Sequence, residues 1–135
     1  MLGKEFVKTK GHCHIGNYQE LYKILKGQAI FLMQKTKNNQ VKDVYAVKAK
    51  TGQIVIIPPN YSHITINPSS NTLKLTNLVS KKCRNNYKLI EKKGGGCYFY
   101  TKSGWVKNKN YKNIPKLRFE KPLNNMPKNL NFLKG

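Results

Sequence analysis

Short apolar stretches, separated by turn-forming residues, make up the chain before Lys81. Several alternate between apolar and polar positions or are rich in β-branched residues, which is typical of strands. Turn signals recur roughly every 8–12 residues, a spacing that predicts an antiparallel sandwich or barrel. No helical period is convincing in this part of the chain. The predicted extended segments are EFVKTKGHCHI, ELYKILK, QAIFLMQK, VKDVYAVKA, QIVIIPP, SHITINPSSN and TLKLTNLVSK.

The connections between these segments predict which strands are neighbours. Gly16 and Asn17 predict a turn that brings ELYKILK back alongside the first segment. TKNNQ predicts a hairpin loop, and the Asn/Pro/Ser turn after SHITIN predicts a pair with TLKLTNLVSK. KLIEKKGGG is a short helix or an irregular connection, and CYFYTKSGWV predicts a hairpin with Ser103 and Gly104 at its turn. We therefore expect a barrel over residues 1–106 and a basic, Asn/Lys/Pro-rich extension over its surface at 107–135.

Charge and cysteine content narrow the class of protein. The net charge is +21, yet of the 26 basic residues only Arg84 and Arg118 are arginine. The lysines are dispersed, which favours a solvated basic surface over a nucleic-acid interface, because phosphate recognition favours Arg. Such a surface would attract a small anionic substrate. The three cysteines lack CxxC spacing, and no apolar run is long enough to span a bilayer or resembles a secretory signal. We expect a cytoplasmic protein without a membrane partner.

Scarce residues cluster in GHCHIGNYQELY. The chain has only three histidines and five carboxylates, and His12, His14 and Glu20 lie within nine consecutive residues. On a strand, His12 and His14 point to the same face because they are two residues apart. Glu20 and Tyr22 share a face of the next strand for the same reason. Together with His63 from another strand, the imidazoles of His12 and His14 and the carboxylate of Glu20 suit a divalent transition metal in the barrel interior.

Two spacings carry a resemblance to a known family. Residues 11–27 read G-H-x-H-(x5)-E-(x6)-G and residues 52–67 read G-(x5)-P-x-N-(x2)-H-(x3)-N. They resemble the two motifs of the cupin superfamily, with Asn60 where the second motif normally has Gly. VKTKGHCH, ELYKILKGQAIFLMQ and IIPPNYSHITIN are further similar to the archaeal-type, cupin glucose-6-phosphate isomerases, and the similarity covers roughly residues 4–122. The resemblance implies an all-β cupin fold, the double-stranded β-helix or small jelly-roll barrel.

The resemblance also implies a function and a set of site residues. It implies a glycolytic and gluconeogenic enzyme that interconverts glucose 6-phosphate and fructose 6-phosphate with one divalent metal, iron first and manganese, nickel or zinc as alternatives. The enzyme would bind an anionic sugar phosphate and form a homodimer. Glu20 is the candidate base as well as a ligand, and a metal-assisted hydride shift would need no base. The metal ligands would be His12, His14, Glu20 and His63, and the substrate contacts Thr9, Gly11, Tyr22 and Tyr87.

The chain departs from the family pattern at three points, which keep other functions open. Asn85 replaces a histidine of the family, and the gap between His14 and Glu20 is one residue shorter than in the best-known members. The chain also begins almost at the first motif, which leaves three interpretations open: an N-terminally truncated fragment of an isomerase, a mis-called start, or a minimal cupin with another role. The alternatives are a cupin dioxygenase, and a non-catalytic module that binds sugar phosphate or, through its basic surface, nucleic acid.

Overall fold

The computed structural model of the chain describes residues 5–6, 8–9, 12–15, 18–80, 84–86 and 88–134. Within these residues the chain is built almost entirely of strands, with helix confined to one short α-helix and a closing 3-10 turn. The elements are β1 His12–Ile15, β2 Glu20–Lys26, β3 Gln28–Lys37, β4 Gln40–Lys50, β5 Ile54–Ile57, β6 Tyr61–Ile66, β7 Lys74–Val79, β8 Arg84–Asn86, α1 Lys88–Lys93, β9 Tyr98–Thr101, β10 Gly104–Lys107, β11 Arg118–Glu120 and the 3-10 turn Asn131–Lys134.

Two sheets form the body of the fold. Six strands pair in the order β11-β4-β3-β6-β1-β8, and three strands pair in the order β5-β2-β7. The described strand pairs are antiparallel except β4 with β11, which is parallel. From β1 to β8 the chain alternates between the two sheets, except that β3 and β4 form a hairpin within one of them. This is the jelly-roll arrangement, and the predicted all-β cupin fold is confirmed.

The central core lies between the two sheets. It consists of the inward-facing residues of β2, β3, β4 and β5, among them Tyr22, Phe31 and Met33. A second buried cluster covers the opposite face of the six-stranded sheet, where Leu32 and Cys97 pack together. Both faces of β3 are therefore buried, which explains why its sequence AIFLM is continuously apolar instead of alternating.

Two predicted strand pairings are wrong. β1 pairs with β6 and β8, and β2 pairs with β5 and β7, so the segment that follows the first histidine motif does not return alongside it. β6 and β7 also belong to different sheets, although a pair was expected. Turn residues indicate where the chain reverses direction, but they do not indicate whether the next strand stays in the same sheet or crosses to the facing one.

The predicted hairpins are confirmed. Asn38 and Asn39 connect β3 and β4 with positive φ angles of 53° and 63°, as a two-residue hairpin turn requires. β9 and β10 form the second hairpin, and KLIEKK is the helix α1. Asn60, which takes the place of the usual motif glycine, has a φ of 67°. Asn is one of the few residues besides Gly that adopt this left-handed conformation readily, so the motif geometry is retained.

The C-terminal extension packs on the barrel. β11 adds an edge strand beside β4, Tyr111 joins the cluster on the outer face of the six-stranded sheet, and Leu133 packs against Leu21 and Ile54. The domain division at residue 107 stays a prediction. Among the described helices, none has the length and apolar character that crossing a bilayer would require.

Candidate active site

A buried carboxylate and a buried imidazole meet between the two sheets. Glu20 begins β2 of the three-stranded sheet and is 3% exposed, and His63 lies on β6 of the six-stranded sheet and is 2% exposed. The Oε1 atom of Glu20 lies 3.4 Å from Nε2 of His63. Removing either group from water is costly unless it gains polar partners or a metal. The two predicted ligands are thus brought together, but from facing sheets and not from neighbouring strands.

Tyr22 completes a polar cluster on the same face as Glu20. Its hydroxyl oxygen lies 3.1 Å from Nε2 of His63, and the tautomer of His63 decides which group donates the hydrogen bond. The Tyr22 and His63 rings meet edge to face with centroids 5.6 Å apart, while Phe31 packs against Tyr22 at 5.1 Å. The ring of Tyr22 therefore belongs to the core, and its hydroxyl belongs to the site.

Asn77 contacts the carboxylate from the neighbouring strand. Its Nδ2 donates a hydrogen bond of 2.5 Å to Oε2 of Glu20. The two oxygens of Glu20 consequently have different surroundings, with Oε2 on the amide of Asn77 and Oε1 towards His63. Sequence reasoning missed Asn77, because only the pairing of β7 with β2 brings it near Glu20 and that pairing was not predicted.

The strand register adds His12 to this region. The Cα of His12 pairs directly with that of His63, and the Cα of His14 pairs with that of Asn85. Directly paired residues of antiparallel strands share a face of their sheet. The side chains of His12 and His14 lie outside the described residues. Among the side chains that are described, no three His, Cys, Asp or Glu residues form a metal-binding group.

The donor types nevertheless fit the predicted metal. A carboxylate oxygen and an imidazole nitrogen converge in a buried space, and such mixed sets accept iron, manganese, nickel or zinc. The hydrogen bond from Asn77 to Glu20 is also the kind of outer-shell contact that orients a ligand. Glu20 and His63 would therefore supply two ligands, and His12 and His14 the other two.

Thr9 lies at a cavity beside this cluster. Its Oγ1 accepts a hydrogen bond from the backbone N–H of Thr65 at 3.0 Å, and the cavity has a volume of about 360 Å³. Lys8, which sequence reasoning did not single out, also lines it. Its ammonium nitrogen, however, lies 2.5 Å from Oε2 of Glu5 and 4.6 Å from the centre of the Phe99 ring, and is not directed at the Glu20–His63 cluster. The remaining lining residues are Thr65, Asn67, Leu73 and Leu75. The predicted substrate contacts Gly11 and Tyr87 lie outside the described residues.

A network of charged residues lies at the β11 edge of the six-stranded sheet. Arg118 of β11 donates from Nε and Nη2 to the two oxygens of Asp43, at 2.9 and 2.6 Å, and its guanidinium lies over the ring of Tyr45. Tyr61 donates to Asp43 at 2.5 Å, and Glu120 also contacts Arg118. The hydrogen bonds from Arg118 lower the pKa of Asp43 to about 2. A larger cavity of about 480 Å³ opens here, away from the Glu20–His63 cluster.

Comparison with known proteins gives the family. The model of the glucose-6-phosphate isomerase family matches residues 1–116. The glucose-6-phosphate isomerases of Thermococcus onnurineus and Pyrococcus furiosus are each 29% identical over 107 residues, which is 78% of this chain and 54% of theirs. That of Thermococcus litoralis is 31% identical over 94 residues, 69% of this chain and 47% of its own. The chain thus spans about half the length of the curated relatives it matches.

Among solved structures, vicilin from Capsicum annuum overlaps 59% of this chain and 20% of its own, with 15% identity. Its TM-score of 0.42 is too low to carry an argument about this chain. The match of the family model over residues 1–116 is the deciding finding: the chain belongs to the glucose-6-phosphate isomerase family.

Proposed function

We propose that this chain interconverts glucose 6-phosphate and fructose 6-phosphate at a divalent metal bound by His12, His14, Glu20 and His63. The observation that carries the proposal is the buried contact between Glu20 and His63 across the two sheets, at 3.4 Å, with His12 in register opposite His63. Family membership supports the reaction. A cupin dioxygenase and a non-catalytic module gain no comparable support. The homodimer and the cytoplasmic location stay predictions.

The positions along β6 and β7 support a place for the phosphate group. Thr65 lies two residues beyond His63 on β6, and Leu75 lies two residues before Asn77 on β7, so the cavity at Thr9 lies further along the same inner faces as the metal cluster. Two residues along a strand span about 6.5–7 Å. A hexose phosphate with C1 and C2 at Glu20 and His63 would thus extend its phosphate towards the hydroxyl of Thr9.

The residues of the site support two routes for hydrogen transfer. When bound, the metal would polarise the C1 and C2 oxygens as a Lewis acid. In one route Glu20 takes the proton from C2 of glucose 6-phosphate, which leaves an enediol, and returns it to C1, while a proton moves from the C2 oxygen to the C1 oxygen. In the other route the hydrogen passes from C2 to C1 as a hydride, the proton of the C2 hydroxyl again moves to the C1 oxygen, and Glu20 acts only as a ligand. Turnover in D2O separates them, because only the enediol route can bring solvent deuterium onto C1 or C2 of the product.

The test of the proposal is turnover of fructose 6-phosphate, coupled to a dehydrogenase that consumes glucose 6-phosphate. We expect wild type loaded with Mn²⁺ to be active and His63→Ala to be inactive. Glu20→Gln should lose a factor of about 10²–10⁴ if Glu20 is the base. Glu91→Gln, which alters a carboxylate on α1, is the matched control and should be as active as wild type. A metal-loaded wild-type protein that does not turn over would refute the proposed reaction.

A further inference from the structure

Asn77 links the buried carboxylate of Glu20 to the exposed edge of the three-stranded sheet. β7 is an edge strand of that sheet, and in the order β5-β2-β7 its described partner is β2. Every residue of β7 except Leu75 is exposed, and Asn77 is among the exposed ones. Its amide nevertheless reaches Oε2 of Glu20, whose own exposed fraction is only 3%. An exposed edge residue thus contacts a candidate ligand inside the barrel.

The register explains how Asn77 reaches the interior. Its Cα pairs with that of Tyr22, and the Cα of Val79 pairs with that of Glu20. Paired residues share a face, so Asn77 and Val79 belong to the inner face of the sheet together with Tyr22 and Glu20. Val79 is nevertheless 39% exposed. Asn77 and Val79 are therefore solvent-exposed residues of the inner face, next to the buried Glu20.

The contact fixes the orientation of the Glu20 carboxylate. A carboxylate can turn about its last bond and present either oxygen, unless one is held by a donor. The Asn77 amide holds Oε2, and Oε1 is then the oxygen directed at His63. An amide donor is suited to this role because it adds no charge beside the carboxylate. A hydrogen bond to an ionised acceptor is also stronger than one between neutral groups.

We propose that Asn77 is a positioning residue that holds Oε2 of Glu20 and thereby presents Oε1 to the metal beside His63. This inference rests on the proposed function, because it assigns Glu20 the role of a ligand. Asn77 acts through Glu20, so its loss should weaken metal binding and slow turnover more than it weakens substrate binding.

The test compares metal affinity in three variants by calorimetric titration of Mn²⁺ into metal-free protein. Asn77→Leu keeps the approximate shape of the side chain and removes the donor, and we expect Mn²⁺ affinity to fall about 10–100-fold. Asn77→Ser retains a shorter donor and should restore part of the affinity. Thr76→Leu is the control, because Thr76 is exposed on the opposite face of the same strand, paired with Lys23. It should bind Mn²⁺ as wild type does.

The kinetic constants provide a second measurement, which should not change if Asn77 only stabilises the fold. At saturating Mn²⁺, Asn77→Leu should lower kcat for fructose 6-phosphate and leave KM nearly unchanged. Wild-type Mn²⁺ affinity and kcat in Asn77→Leu would overturn the positioning role while the proposed function stands. A wild-type protein that binds no Mn²⁺ would overturn the metal centre and this inference together. If Asn77→Leu fails to fold, Asn77→Ala, which also removes the donor, decides, and wild-type affinity in that variant would overturn the inference.

Discussion

Removing the hydroxyl of Tyr22 should damage catalysis far more than stability. The hydroxyl lies 3.1 Å from Nε2 of His63, while the ring packs on Phe31 and is part of the central core. Tyr22→Phe keeps the ring, so no cavity forms and the packing is retained. The variant loses the buried hydrogen bond with His63, whose net contribution to the free energy of unfolding is about 1 kcal/mol. The Glu20–His63 contact does not involve this hydroxyl.

The kinetic cost should be larger because the hydroxyl faces the site. As a substrate contact, or as the group that fixes the ring of His63, it should contribute about 10–100-fold to kcat/KM. This range corresponds to about 1.4–2.7 kcal/mol at 1.36 kcal/mol per factor of ten. If the hydroxyl contacts substrate, KM should rise; if it only orients His63, Mn²⁺ affinity should fall and KM should change little. The two roles are thus distinguishable in one variant.

Urea unfolding followed by Trp105 fluorescence gives the stability, since this is the single tryptophan of the chain. The coupled assay gives kcat and KM. Tyr98→Phe is the matched control, because the Tyr98 hydroxyl donates a 2.8 Å hydrogen bond to the carbonyl of Pro115, on the outer face of the six-stranded sheet. It should lose similar stability and keep wild-type kinetics. A loss above 2 kcal/mol in Tyr22→Phe with unchanged kinetics would make Tyr22 only a core residue and refute the reasoning.

Three further predictions concern the rest of the fold. Arg118→Met should lower the free energy of unfolding by about 1 kcal/mol at pH 7, a value reduced for solvent exposure. Because the pKa of Asp43 is lowered to about 2, this stabilisation is present above about pH 4 and is lost as the pH falls through 2. The free energies of unfolding of wild type and variant should therefore converge at about pH 2. A difference that stays constant with pH would contradict the ion pair. Gly27→Ala should lower the free energy of unfolding by about 1–3 kcal/mol, measured by thermal unfolding. Gly27 has a φ of 85°, and a Cβ at this position would meet the Thr72 carbonyl oxygen at 2.6 Å. Wild-type stability of the variant would contradict this close approach. Burial raises the pKa of Cys97 to about 12, so its thiol should not react with a thiol reagent in the folded protein. Mass spectrometry should find the Cys97 peptide labelled only after urea unfolds the chain. Labelling of the native protein would contradict the burial of Cys97.

The strands and turns were largely predictable because local sequence determines them. Alternation and β-branching marked β2 to β7, and the paired asparagines marked the β3–β4 hairpin. The partners of β1, β6 and β7 were not predictable in the same way. Strand pairing across a jelly roll depends on long-range packing, and neither Gly16 nor Asn17 indicates which sheet receives the next strand.

The residues of the candidate site were also predictable only where local sequence identifies them. Glu20 and His63 were predictable because carboxylates and histidines are rare in this chain and suitably spaced, and Tyr22 from its position two residues after Glu20; the structure brings these three together. Asn77 was not predictable, because it is one of many asparagines and only its position on β7, paired with Tyr22, brings it to Glu20. The roles of Thr9 and Tyr22 as substrate contacts stay predictions, as do those of Gly11 and Tyr87.

The most direct measurement of the central claim is turnover during stepwise return of metal to stripped protein. The protein is freed of metal with a chelator, and Mn²⁺ is then added while conversion of fructose 6-phosphate to glucose 6-phosphate is followed. We predict no turnover at the start, a linear rise, and a plateau at about one ion per chain, since the metal would hold the two reacting oxygens. Turnover that survives complete removal of metal, or full occupancy without turnover, would contradict the account.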